Sequence, residues 1–233
     1  MIDERHCGGP GDLVIRSNSS TKTVDAWKRY AAACHADPNS KAFVQLNHPG
    51  RQSPVIAKNT RGFFEKTLAP SAVPLNIGED VMSRAVGKLM FGTPKEMSIE
   101  DIEMVIKQFA DAAVFCSEVG FDGVQIHGAH GYLISQFLSE KANRRVDGYG
   151  GSAAKRARFA VEVVKAVRAA VPNGFAVGIK LNSVDHQHAQ DLEETLEQIS
   201  LIVDAGIDFL EISGGSYEDP QVLIHFLIKV PVA

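Results

Sequence analysis

The sequence is poor in cysteine, in positive charge and in long apolar runs. Its three cysteines, Cys7, Cys34 and Cys116, are too few and too far apart for a disulfide framework, so reduced thiols are expected. The 24 basic residues are outnumbered by 28 acidic ones, which gives no overall reason to bind nucleic acid or an anionic membrane. No stretch approaches the roughly 18 apolar residues of a membrane span. We therefore expect a cytoplasmic protein with neither a nucleic-acid nor a membrane partner.

Four short apolar runs, separated by helical patterns, predict a parallel sheet. Each run is nearly continuous in apolar residues, as in parallel strands that are covered on both faces. The predicted strands are residues 42–46, 123–126, 175–181 and 207–212. The predicted helices are residues 25–35, 98–120, 156–171 and 192–203, and Ser98 with Asp101 resembles a capping box at the start of the second.

This order of helices and strands suits either a doubly wound sheet or a (β/α)8 barrel. No GxGxxG follows a strand, whereas chemistry-bearing residues follow strand ends, which favours the barrel. We predict an α/β protein with a partial (β/α)8 TIM barrel, as one incomplete domain over residues 1–233. Val14 with its neighbours and residues 222–228 are weaker strand candidates, and residues 47–97 show no convincing helix or strand.

The densest candidate site lies in residues 120–152. There the apolar run 124–126 leads directly to His127, His130 and Tyr132. Two imidazoles and a phenol at the end of a barrel strand can hydrogen-bond an oxygen and protonate a basic carbanion or enolate. Two other interpretations stay open: the histidines are structural, or they bind a metal, although no adjacent carboxylate or cysteine completes a tetrahedral set.

Two polar residues interrupt other predicted strands. Gln45 lies in the segment FVQLNHPGRQSP, and its amide can donate and accept at once, which suits the edge of a pyrimidine-like ligand. The other interpretation is that Gln45 lies on the solvent side of an edge strand, where its amide would need no ligand. Lys180 lies in the segment GIKLN and is costly to bury without an anion or polar ligand, unless it snorkels to the barrel mouth.

These segments resemble the old yellow enzyme family of FMN-dependent NAD(P)H oxidoreductases, in particular its fungal and bacterial members. The resemblance covers residues 1 to about 219 and is strongest in HGAHGYL and QFLS. A spaced set further along is equally specific: Asn143, Arg145, Asp147, Tyr149, Gly150, Gly151 and Ser152. The resemblance implies a barrel truncated at both ends, with strands 3 to 6 but without strands 1, 2, 7 and 8, and a divergent tail over 220–233.

The resemblance also implies roles for single residues. Gln45 and Lys180 would bind FMN. The amide of Gln45 would contact the pyrimidine edge of the flavin, and the ammonium of Lys180 would lie near its N1 and O2 atoms. His127 and His130 would bind the carbonyl oxygen of an activated alkene, and Tyr132 would protonate its α-carbon. The implied reaction is an NAD(P)H-dependent reduction of the C=C bond of an α,β-unsaturated carbonyl, which in fungal relatives often serves secondary metabolism.

Other functions stay open at this point. Strands 7 and 8 normally furnish the FMN phosphate site, so the alternative is an inactive remnant or a protein-interaction module of the same family. Open sheet edges also predict association between copies of the chain. A third interpretation is a metal-dependent barrel hydrolase that uses His127 and His130. Whether the chain is an active enzyme is therefore left open by the sequence.

Overall fold

The main sheet has five strands, four of them parallel. The computed structural model describes residues 1–16, 18–55, 65–78, 80–183, 189–215 and 226–229. In sheet order the strands are β1 (Phe43–Leu46), β4 (Gly123–Gly128), β5 (Ala176–Asn182), β6 (Phe209–Ser213) and β7 (Phe226–Lys229). The first four are parallel neighbours, and β7 pairs antiparallel with β6. The predicted α/β class with a parallel sheet is confirmed.

One helix precedes β1, and the other described helices lie between successive parallel strands. The helices are α1 (Thr21–Cys34), α2 (Val81–Phe91), α3 (Ile99–Glu118), α4 (Leu133–Leu138), α5 (Ala153–Ala170) and α6 (Ala189–Asp204). The predicted capping box opens α3, because Ser98 accepts from the Asp101 amide and Asp101 accepts from the Ser98 amide. No helix among the described residues is long and apolar enough to cross a membrane.

Three parts of the sequence prediction need correction. Residues 47–97 contain α2, a short 3-10 helix (Gly50–Gln52), and a small parallel sheet of β2 (Leu68–Ala69) and β3 (Lys95–Glu96). Val14 and its described neighbours form no strand. Residues 226–228 of the candidate 222–228 do form a strand, as part of β7, but β7 runs antiparallel and does not continue the parallel barrel order. Residues 222–225 lie outside the described residues.

The parallel strands are uniformly apolar on one face only. Their side chains that face the helices are fully buried and pack against α3 and α5; they include Leu46, Val124, Ile126, Val177 and Ile179. Successive side chains of a strand point to opposite faces, so the residues between them form a second face. The prediction that each strand is continuously apolar therefore holds for the helix-packed face alone. Along the strands, polar residues on the other face alternate with the buried apolar ones.

The second face, here called the inner face, begins with two aromatic rings. Phe43 on β1 and Phe209 on β6 lie with ring centroids 5.4 Å apart, although β4 and β5 separate their strands. The two intervening strands carry glycine at this level. A Cβ on Gly123 would lie 2.6 Å from the Phe43 ring, and one on Gly178 would lie 2.1 Å from the Phe209 ring. The two glycines thus leave room for the rings of Phe43 and Phe209, which are called the aromatic floor of the inner face.

The spaced motif in residues 143–152 has an architectural role. The buried Arg145 guanidinium donates to the carbonyl oxygens of Pro70 and Met97, at 3.0 and 2.6 Å, and pairs with Asp147 at 2.6 Å. Asn143 donates to two backbone carbonyls of the segment around it. One cation thus donates to the carbonyls that follow β2 and β3, and it connects them to the loop before α5.

The close contact between the aromatic floor and the glycines beside it generates a stability prediction. Gly178→Ala places a methyl group against the Phe209 ring, and overpacking of this kind should lower the free energy of unfolding by about 1–3 kcal/mol. Combining Gly178→Ala with Phe209→Leu should destabilise less than the sum of the two single changes, because the residues share one contact. Urea denaturation measures both. Gly9→Ala, where a Cβ meets nothing within 4 Å, is the control, and equal losses in the two glycine variants would contradict the packing.

Candidate active site

Strand register brings polar side chains together on the inner face above the aromatic floor. Gln45 lies opposite Gln125, His127 opposite Lys180, and Lys180 opposite Glu211. Gln45, His127 and Lys180 lie in the carboxyl-terminal halves of their strands, the end at which active sites of barrel enzymes are built. Gln125 and Glu211 lie near the middle of theirs. The site therefore lies on the inner face, towards the carboxyl-terminal ends of the parallel strands.

A continuous hydrogen-bonded chain crosses the four strands. Gln45 Nε2 donates to Gln125 Oε1, and Gln125 Nε2 donates to Glu211 Oε2 at 2.7 Å. The other carboxylate oxygen of Glu211 pairs with Lys180 Nζ at 2.9 Å. Gln125 can reach across β5 because its register partner there, Gly178, carries no side chain. Gln45 and Lys180, on different strands, are thereby connected.

The loop after β4 turns sharply at His130. The Tyr132 amide donates to the Ala129 carbonyl, and both central residues, His130 and Gly131, have positive φ, 58° and 73°. This is the mirror-image turn class that favours glycine, and a histidine there is strained. Asn182 at the end of β5 offsets the strain, because its Oδ1 accepts from the His130 amide at 2.6 Å.

Three rings meet beside this turn. The His127 centroid lies 5.0 Å from that of His130 and 4.9 Å from that of Tyr132, each pair nearly perpendicular. His130 Nε2 lies 2.8 Å from the hydroxyl oxygen of Ser213, which ends β6. The predicted trio is therefore assembled from a strand end and the turn that follows it.

His127 is held as a neutral hydrogen-bond donor. Its ring is buried, and Nδ1 accepts from the Ala129 amide at 3.3 Å, so the neutral ring carries its proton on Nε2. Burial, then the neighbouring charges of His130 and Lys180, lower the pKa of His127 to about 3. Near pH 7 the ring can donate from Nε2 without carrying a charge.

Tyr132 is fixed by the residues around it. It is the N-cap of α4, and one turn later the buried Gln136 ties two loops together. Gln136 Nε2 donates to the carbonyls of Pro49 and Gly131, at 3.2 and 2.8 Å, and its Oε1 accepts from the Arg51 amide. The loop after β1 and the turn before Tyr132 are thus one connected unit.

The structure decides between several interpretations of the sequence. Lys180 does not reach for solvent as a snorkelling lysine would, because its side chain is 12% exposed and paired with Glu211. Gln45 is exposed, yet its amide lies on the inner face in the polar chain. Chemically, this face offers a cation, an amide, the neutral imidazole donor of His127, the second imidazole of His130 and a phenol within one connected surface.

Four residues of the site escaped the sequence analysis: Gln125, Asn182, Glu211 and Ser213. The sequence did contain a signal for Glu211, because it lies within the apolar run FLEIS. An unpaired carboxylate there is costly to bury, as is the unpaired ammonium of Lys180. Asn182 and Ser213 gave no such signal. Their relation to His130 depends on the register of β5 and β6, in which they lie opposite each other.

A second cluster of ionisable groups lies apart from the three rings. Among the residues that the structure describes, ligand atoms of Asp3, His6 and His48 lie within 4.8 Å of one another. His48 Nδ1 accepts from the Gly50 amide at 3.0 Å, so a neutral ring has its proton, and no lone pair, on the Nε2 that lies 4.0 Å from Asp3. Burial opposes ionisation of Asp3, but hydrogen bonds from His6 and Arg5 outweigh it and hold its pKa well below the ordinary value. The cluster anchors residues 1–6 to the loop after β1.

The neutral state of His127 can be checked directly. Because its pKa is lowered to about 3, its ring resonances should not titrate between pH 5 and 8 in NMR spectra assigned with a His127→Gln variant. Since the unfolded chain binds this proton more readily, the contribution of His127 to stability should fall as pH drops below about 6.5.

His35 is the internal control for that titration. Its hydrogen bond to Asp122, followed by the Ala31 carbonyl, raises the pKa of His35, so its midpoint should lie above the ordinary histidine value. A His127 midpoint near that of an ordinary histidine would contradict the buried, neutral ring.

The chain is similar in sequence and in fold to proteins of known family. The sequence matches the profile of the NADH:flavin oxidoreductase / NADH oxidase family over residues 8–222. The NADH-dependent flavin oxidoreductase iliE of Neonectria sp. (strain DH2) is 50% identical over 96% of this chain and 29% of its own length. The corresponding iccE of Talaromyces variabilis is 47% identical over 96% of this chain and 54% of its own length.

More distant proteins share the same region. The 12-oxophytodienoate reductase 2 of Arabidopsis thaliana is 41% identical over 68% of this chain and 41% of its own length. A solved 2-naphthoyl-CoA reductase complex superposes with a TM-score of 0.76 at 27% identity, over 94% of this chain and 32% of that one. The chain thus spans about half, or less, of the length of these relatives. It belongs to the NADH:flavin oxidoreductase / NADH oxidase family, which confirms the resemblance to the old yellow enzymes.

Proposed function

We propose that the inner face binds FMN and that the site reduces the C=C bond of an α,β-unsaturated carbonyl with NAD(P)H. The observation that carries the proposal is the meeting of His127, His130 and Tyr132 at the strand ends beside the Gln45–Lys180 chain. The names of the relatives support it, since two are flavin oxidoreductases that depend on NADH and another is a reductase of an oxo compound. From the resemblance to fungal members we further propose a secondary metabolite as the alkene.

The donor set fits the ring system of FMN. Gln45 is exposed on the inner face, so its amide is available to the pyrimidine edge, and Lys180 adds a cation that suits a ring that becomes anionic on reduction. When bound, FMN supplies the hydride chemistry that connects NAD(P)H to the alkene. The protein contributes position and charge.

The three rings would act on the carbonyl compound itself. His127 and His130 donate hydrogen bonds to its carbonyl oxygen, where negative charge gathers as a hydride reaches the β-carbon. A neutral His127 serves this purpose because it polarises the carbonyl without losing its proton. Tyr132 gives its phenolic proton to the α-carbon and regains a proton from water, so the alkene gains one hydride and one proton.

One observation favours a second function, association through the sheet edge. Among the described residues β1 pairs only with β4, so its other side presents backbone groups that can pair with a strand of a second copy. A protein that stays colourless with FMN and dimerises would support this function over the first.

The proton-donor role makes a kinetic prediction. Wild-type protein mixed with FMN should turn yellow, and NADH should bleach it in the absence of oxygen. Tyr132→Phe should leave that bleaching within twofold of wild type but slow reoxidation by an enone by roughly 10²- to 10⁴-fold, the usual contribution of a general acid. Stopped-flow absorbance separates the two steps.

The matched control is Tyr30→Phe, which removes the same hydroxyl from an exposed tyrosine of α1 and should change neither step. Equal loss of both steps in Tyr132→Phe, or loss of neither, would contradict the proposed role. Protein that binds no FMN would contradict the proposed function as a whole.

A further inference from the structure

Glu211 joins the two residues expected to contact the flavin, yet neither the motifs nor the comparisons give it a role. Its Oε1 pairs with Lys180 Nζ at 2.9 Å, and its Oε2 accepts from Gln125 Nε2 at 2.7 Å. Gln125 in turn accepts from Gln45. The carboxylate is only 18% exposed, so these partners replace much of its hydration.

The chemistry of these groups sets a direction along the chain. An ionised carboxylate can only accept hydrogen bonds, so Gln125 must turn its NH2 group towards Glu211. The oxygen of Gln125 is then left to face Gln45, which must donate its own NH2 group. The amide of Gln45 is thus oriented by a charge two links away, and its oxygen stays available to a ligand.

An amide at position 211 would reverse this direction. The ammonium of Lys180 can only donate, so a glutamine there would turn its oxygen to Lys180 and its NH2 group to Gln125. Gln125 would then present oxygen, and its NH2 group would face Gln45, which would have to accept. The reversal needs no movement of the backbone, because each amide rotates about its last side-chain bond.

Glu211 also balances the charge of Lys180. The two form an ion pair in which both side chains are largely removed from water. Without the carboxylate, Lys180 would be an uncompensated cation on the inner face. Such a cation stabilises an anion beside it more strongly than a neutral ion pair does.

We propose that Glu211 is a positioning residue of the flavin site, one that orients the amide of Gln45 through Gln125 and neutralises Lys180. The inference rests on the proposed function for its ligand, but the orientation of Gln45 is a property of the protein alone. Its two parts therefore have separate readouts, one without flavin and one with it.

The flavin-free readout is the side-chain amide signal of Gln45 in NMR spectra of the protein without ligand. In Glu211→Gln the signals of both Gln45 and Gln125 should move, although Gln45 does not hydrogen-bond to Glu211. Gln125→Leu, which interrupts the chain and keeps the carboxylate, should move the Gln45 signal too. Glu197→Gln removes a carboxylate from an exposed position of α6 and should move neither.

The second readout is the midpoint potential of bound FMN, followed by its absorbance during anaerobic titration. Glu211→Gln should raise the affinity for reduced over oxidised flavin about tenfold, which is about 30 mV for a two-electron couple. Gln125→Leu keeps the ion pair and should shift the potential by less than a third of that. Glu197→Gln should not shift it.

Each outcome decides a separate point. A Gln45 signal that stays in place in either Glu211→Gln or Gln125→Leu overturns the orientation by Glu211, and an unchanged or lowered potential in Glu211→Gln overturns the charge balance. Should Glu211→Gln fail to fold, Gln125→Leu still tests the orientation. Wild-type protein that binds no FMN contradicts the proposed function, and the flavin-free spectra still show whether Glu211 orients Gln45.

Discussion

The aligned register of four parallel strands is the constraint on which the rest of the structure depends. Because side chains alternate between the two faces of a strand, a single register places Gln45, Gln125, Lys180 and Glu211 on one surface. A shift by one residue in any of these strands would turn its polar side chains into the helix-packed core. Burial of the apolar face thus specifies the polar one.

The polar face is costly to assemble, and the structure shows how the cost is offset. Lys180 and Glu211 leave water together as an ion pair, and the two glutamines satisfy each other and the carboxylate. His127 is buried in its neutral form. His130, strained in its turn, is held by Asn182. Lys180, the two glutamines and His130 therefore each have a partner that keeps them in position.

Much of this could be predicted from local sequence. The four parallel strands and the helices α1, α3, α5 and α6 follow from apolar runs and periodicity, and the capping box at Ser98 from spacing alone. Helix α2 was missed although Val81, Ala85 and Leu89 recur at helical spacing; Val81 and Leu89 are exposed in the structure, so this stripe is not part of the core. The relation of Glu211 to Gln45 could not be predicted, because it depends on the register of strands more than 160 residues apart in the sequence.

The central claim is that one sheet face carries both the flavin-binding pair and the three reacting rings. A crystal structure of the protein grown with FMN and an unreactive phenolic or carbonyl ligand tests it most directly. The pyrimidine edge of the flavin is expected at Gln45 and Lys180, with the ligand oxygen between His127 and His130. Flavin bound elsewhere, or a ligand oxygen remote from both imidazoles, would contradict it.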